Sequence, residues 1–178
     1  TILIEECMKL EDVEQSREIL FELVGTVCAE FDEDDKGWPV CEKILTQILG
    51  EMTDSQRDRE ITYFIYLRLV FSGVWQNEKK TIERMGLLID SYDTLGEELK
   101  KERYAEYIQN RLTYCNLLIS NNRMEEAAES FRVVDALMAE AAYEEHDAEE
   151  LISMYIDMMH IVYVTDFVEN SAEKVQIY

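Results

Sequence analysis

The fold is decided by Asn110-Arg-Leu-Thr-Tyr-Cys-Asn-Leu-Leu-Ile-Ser-Asn-Asn-Arg-Met-Glu-Glu-Ala-Ala-Glu-Ser-Phe-Arg-Val-Val134. It reads as two apolar-faced helices joined by a short polar turn at Asn121-Asn122. In the second helix, Ala127, Phe131 and Val134 follow one another at steps of four and three, so they share one helix face. A single helical hairpin of this size cannot bury its own apolar face. The remainder of the chain must therefore supply further hairpins to pack against it.

Composition agrees with a helical chain that needs a core. Of 178 residues, 47% are hydrophobic and 10% aromatic, with one proline and six glycines to interrupt helices. Acidic residues number 39 against 17 basic, for a net charge of -22. Such a field repels a phosphate backbone, which argues against nucleic-acid binding. The acid is read first as solvation of outward helix faces and second as attraction to a basic partner. Cys7, Cys28, Cys41 and Cys115 show no CxxC spacing, and three lie in apolar helical stretches. This usage fits a reducing, cytoplasmic setting better than a disulfide framework. No apolar run reaches the length of a membrane span, and the N-terminus lacks a basic signal-peptide head. The chain opens on Thr1 and ends at Tyr178 inside an apparent helix, and is read as a piece of a longer protein.

Outward from the deciding stretch, the pattern is eight helices in four hairpins. After an apolar lead at residues 1–10, Ile19, Leu20, Leu23, Val24, Val27, Cys28 and Phe31 mark a helix over about 16–31. A turn at Asp32 to Gly37 follows, and Pro39 suits the first turn of a partner with Val40, Cys41, Ile44, Leu45, Ile48 and Leu49. Residues 61–71 are rich in strand formers, but the charged lead-in from Gln56 to Glu60 extends the segment past strand length and favours helix over 56–71. Its partner spans 79–92. Helices over 97–120 and 124–142 form the third hairpin, and 148–167 with 170–178 the fourth. These make one helical-repeat domain with units at about 11–52, 55–92, 97–142 and 147–178.

The second-helix triplets Cys41-Leu45-Ile48, Thr81-Met85-Leu88, Ala127-Phe131-Val134 and Ser171-Val175-Tyr178 fall 40, 46 and 44 residues apart. The matching close-contact positions of the first helices, Gly25, Leu67, Cys115 and Met159, fall 42, 48 and 44 apart. Both series describe a repeat near 44 residues. The chain resembles the tetratricopeptide-repeat (TPR) superfamily in this arrangement, with a longer period than the family's 34 residues. The third unit carries the resemblance, with Tyr114, Cys115, Leu118, Ala127, Phe131 and Val134 standing in for the later positions of the family pattern, short of its proline. The family glycine survives only at Gly25, and no proline closes a repeat. The resemblance implies an all-α fold, a right-handed superhelix of antiparallel helix hairpins whose first helices line a concave groove. It also implies protein or peptide binding and no catalytic activity.

Under that resemblance, the row one residue beyond the close-contact position is Thr26, Arg68, Asn116 and His160, polar in each unit. Flanking rows contribute Phe64, Leu112 and Ile156 on one side and Phe71 and Tyr163 on the other, with Glu22, Ala29 and Ile119 completing them. A polar row between apolar rows supplies amide-type donors for a peptide backbone and pockets for its side chains. In the family an asparagine at the position of Asn116 contacts bound peptide. The competing reading has these polar groups satisfying neighbouring helices.

Other constellations fail on their chemistry. Asp32-Glu-Asp-Asp-Lys-Gly37 begins like a calcium loop, but Lys36 and Lys43 stand at the fifth and twelfth positions, where oxygen ligands are required. Asp157-Met-Met-His160 has the spacing of a diiron ligand pair but no second copy, since His146 is preceded at the matching place by Tyr143. No phosphate loop, nucleophile elbow or Cys-His pair occurs. The sequence calls for no metal and no cofactor. Tyr155, Met158, Met159 and Tyr163 read first as core, and second as an exposed apolar groove at the C-terminal end or a face awaiting more chain.

The expected function is thus a cytoplasmic scaffold that holds a protein or peptide, a sibling domain or a second copy. The alternatives are the sensory part of a bacterial signalling protein whose output domain lies elsewhere and, further off, a helical enzyme.

Overall fold

The structure, a computed structural model, describes residues 13–30, 38–71, 78–141 and 148–165, together with Glu6, Lys9 and Leu10. The described residues form eight helices and no strand. These are α1 (Val13–Glu30), α2 (Trp38–Gly50), α3 (Gln56–Phe71), α4 (Glu78–Asp93), α5 (Glu97–Glu102), α6 (Tyr104–Ser120), α7 (Met124–Ala141) and α8 (Ala148–Val164). The apolar lead over 1–10 falls largely, and the expected helix over 170–178 wholly, outside the described residues, as does the turn from Asp32 to Gly37. The chain divides into two compact units, Thr1–Glu97 and Glu98–Tyr178.

In the first unit α3 is the central helix and packs against α1, α2 and α4. Residues 61–71 are rich in strand-forming apolar and aromatic residues because the helix is packed on two sides. Asp58, Ile61, Ile65 and Leu69 make one buried row, while Tyr63 and Val70, seven apart, are buried on another. The first row joins Leu20 and Val24 of α1 and Trp38, Cys41, Leu45 and Ile48 of α2 in one core. Beyond it, Tyr63 meets Tyr92 of α4 at a ring separation of 6.3 Å. The N-terminus of α3 is set by Ser55, whose Oγ accepts the Asp58 N–H at 3.2 Å while its carbonyl accepts from Arg59 N at 3.0 Å. A serine at this position satisfies a donor that the first helical turn leaves unpaired.

In the second unit α6 packs against both α7 and α8. The helix expected over 97–120 is interrupted at Arg103, whose φ of -101° and ψ of 12° leave the helical range. Hydrogen bonds still run through the interruption, from Arg103 N to Leu99 O and from Tyr107 N to Arg103 O, both 2.9 Å. The Asn121-Asn122 turn forms as read, for a reason the residues supply. Asn122 takes φ 58°, a left-handed conformation that asparagine tolerates better than most residues. Its N–H reaches Ile119 O at 3.0 Å and the next, from Arg123, reaches Leu118 O at 2.9 Å, the paired bonds of a Schellman helix end.

Each second-helix triplet within the described residues faces a core. Cys41, Leu45 and Ile48, then Thr81, Met85 and Leu88, then Ala127, Phe131 and Val134 are all buried. Ser171, Val175 and Tyr178 lie outside the described residues. The first-helix positions aligned with them are not equivalent. Cys115 is buried and its Sγ donates to Ala127 O at 3.4 Å, a close approach of α6 and α7. Gly25 instead is exposed on α1, and a Cβ built there meets nothing within 4 Å. The expectation that Gly25 marks a close helix contact is therefore corrected.

Candidate functional site

The strongest polar constellation is structural. Arg17 of α1 and Asp58 of α3 are both buried and paired through two hydrogen bonds, Nε to Oδ1 at 2.5 Å and Nη2 to Oδ2 at 3.1 Å. Thr53 adds its N–H at 2.8 Å and its hydroxyl at 2.6 Å to the same Oδ2. Burial by itself raises the Asp58 pKa. The hydrogen bonds from Arg17 and Thr53 and the guanidinium charge outweigh it and hold the carboxyl below the ordinary carboxylate value. Every lone pair used here is spent on fixing α1, the α2–α3 connection and α3 together, so the group is ill-placed to act on a ligand. Sequence reading missed this pair, although a signal existed. Arg17 and Asp58 each sit three residues before the first buried apolar residue of their row, Leu20 and Ile61, on the inward face.

A second network joins α2 to α4, where Glu42 accepts from both Lys80 and Arg84. Desolvation opposes ionisation of Glu42, but the two cations prevail and lower its pKa. Arg57 spans Glu18 and Glu60 at 2.6 and 2.8 Å and lies over the Phe21 ring at 4.7 Å.

The expected binding residues separate according to their helices. In the first unit Thr26 is exposed on α1, while Phe64, Arg68 and Phe71 share one side of α3. Arg68 and Phe71 are exposed. Phe64 is half-buried and packs edge-on against Phe21 at 5.2 Å. In the second unit Asn116 is half-buried on α6, and Leu112, one turn earlier, is fully buried. Leu112 is covered by the protein's own packing and has no exposed surface. Its helix is covered by α7 and α8 at once, so its apolar arc is wider than the one-sided register assumes.

On α8, Ile156, His160 and Tyr163 are all exposed. Ile156 is 54% and Tyr163 83% exposed, and Ile152, one turn before Ile156, is 59% exposed. The opposite side of the same helix is core, with Met154, Met158, Ile161 and Val162 buried. Asp157 is held to α6 by Gln109 Nε2 at 3.1 Å, which fixes the rotation of α8 about its axis. The helix is therefore apolar on two opposite sides, one packed and one facing out. Of the residues read as core or exposed groove, Met158 is core, Tyr155 and Met159 are half-buried, and Tyr163 faces out.

Among the described residues, no group of three or more His, Cys, Asp or Glu is placed to hold a metal ion. The Asp32–Gly37 segment and His146 lie outside them. Cys41 and Cys115 are buried thiols outside any disulfide, and burial pushes the Cys115 thiol up to about 12, far from the thiolate a nucleophile requires. No helix among the described residues is long and apolar enough to cross a membrane. No protein-family model matches the chain, and searches of the curated proteins and of the solved structures return no match.

Proposed function

We propose that this chain is a protein- or peptide-binding module built from TPR-like stacked hairpins, and that it binds through the outward faces of its first helices. The observation that carries this reading is the exposed side of α8, where Ile152, Ile156 and Tyr163 stand in the open on a helix already packed by its other side. Water around three large apolar side chains in one row is unfavourable, and such a row marks a surface that another molecule covers. Two further observations support stacked hairpins. The first helix of the second hairpin, α3, touches both helices of the hairpin before it as well as its own partner α4. In addition, a triplet at steps of four and three is buried in each of α2, α4 and α7.

A paired substitution tests each half of the proposal. Ile156→Ser with Tyr163→Ser weakens partner binding about tenfold or more, with circular dichroism unchanged, because both side chains already lie in water and the fold does not depend on them. Arg68→Ala with Asn116→Ala weakens it as well if the polar row touches the partner backbone. Unchanged affinity in the first pair removes α8 from the binding surface, and unchanged affinity in the second removes the polar row.

A further inference from the structure

The outward row of α8 has a shape and an electrical setting that together select a partner. Ile152, Ile156 and Tyr163 stand at steps of four and seven, on one side of the helix, over a rise of about 16 Å. That is the length of about three helical turns, the scale on which a helix presents anchors to a complementary surface. The sequence around the row is one-signed. From Val133 through Glu173 the sequence holds eleven aspartates and glutamates and no lysine or arginine. Glu150 precedes Ile152 by two residues and Asp166 follows Tyr163 by three, so the row is bracketed in sequence by carboxylates at both ends.

Resting on the protein-binding reading above, we propose that the outward face of α8 docks a basic amphipathic helix of a partner protein. Its apolar side meets Ile152, Ile156 and Tyr163, and its lysines and arginines complement the acidic sequence of this region. An acidic or neutral amphipathic helix would bury the same apolar area but bring like charges, or none, to a region whose sequence is acidic. A second copy of the chain would bring another net charge of -22 to the interface, which disfavours self-association.

The probe is a synthetic amphipathic peptide of about five helical turns, with leucines on one face and lysines on the other. Two controls accompany it, a scramble of identical composition and a version with glutamate for lysine. Fluorescence anisotropy near physiological ionic strength is expected to show the basic helix binding at least about tenfold more tightly than the scramble, and the glutamate version not binding. Ile156→Ser with Tyr163→Ser is expected to remove that preference. Equal binding of helix and scramble, or an unchanged preference in the double variant, overturns the proposal by showing attraction through charge alone. A dimer in sedimentation equilibrium that is lost in the double variant also overturns it, since the occupant is then a second copy. If partner capture maps to α8 while the basic helix does not bind, the protein-binding reading stands and this assignment of the partner fails.

Discussion

Removing the Asp58 carboxylate is the sharpest test of how the first unit is held together. Asp58→Ala takes from the Arg17 guanidinium, 8% exposed, a carboxylate that it binds through two hydrogen bonds, and removes the acceptor of two bonds from Thr53. Thr53 is exposed and its groups rehydrate, so most of the cost falls on the buried cation. Breaking one half of a buried, hydrogen-bonded pair costs about 3–5 kcal/mol. Against a typical stability of about 5–15 kcal/mol for a domain, that is a large fraction, and it corresponds to a urea midpoint lowered by about 2 M. Both tryptophans, Trp38 and Trp75, belong to the first unit, so tryptophan fluorescence reports its unfolding selectively. Replacing both partners, Arg17→Met with Asp58→Leu, is expected to recover most of the loss, because both charges then leave the interior together. The pH dependence has a defined sign. The folded Asp58 pKa lies below its unfolded value, so the pair's contribution is full above the ordinary carboxylate range and disappears as pH falls through the folded value. The difference between wild type and Asp58→Asn should therefore shrink on acidification below about pH 4. A cost under about 1 kcal/mol for Asp58→Ala, or no recovery in the double variant, would refute the reasoning.

Three further perturbations separate core from surface. Gly25→Ala should raise stability by about 0.5–1 kcal/mol, since the helix gains a better former and the added Cβ meets nothing; a loss in thermal unfolding would restore Gly25 to a helix contact. Asn122→Ala should cost about 1 kcal/mol and Asn122→Gly little or nothing, because the residue sits at φ 58°; equal effects of the two in urea melts would contradict the helix end described. Leu112→Ala should cost about 2–5 kcal/mol in the second unit, whereas Ile156→Ser should stay within about 0.5 kcal/mol, and a reversal of that order would exchange their places in core and surface.

Much of the fold was legible because it rests on local rules. The buried triplets follow from steps of three and four, the turn after Ser120 from two asparagines, and α3 from a charged lead-in too long for a strand. What escaped reading depends on neighbours distant in sequence. Nothing local distinguishes Arg17 and Asp58 from ordinary surface charges except their place in an apolar row, and they meet across 41 residues. The interruption at Arg103 has neither glycine nor proline to announce it. Leu112 was placed with Phe64 and Ile156 by register, yet the three differ in burial because α6 is covered on two sides while α8 has an open one. The candidate surface was partly legible for the same reason. Tyr163 and Ile156 were picked out, but Ile152, which completes the row, was not, because register alone does not tell the packed side from the open side of a helix that is apolar on both.

The central claim is that the open side of α8 is where another protein sits. Site-specific photo-crosslinking tests it most directly, with benzoylphenylalanine placed at Ile156, at Tyr163 and, as a control, at Val133, an exposed position on α7. The account predicts that Ile156 and Tyr163 yield adducts to the same segment of one partner protein, identified by mass spectrometry, and that Val133 does not. Adducts no different from the control, or adducts only to residues 166–178 of this chain, would contradict it.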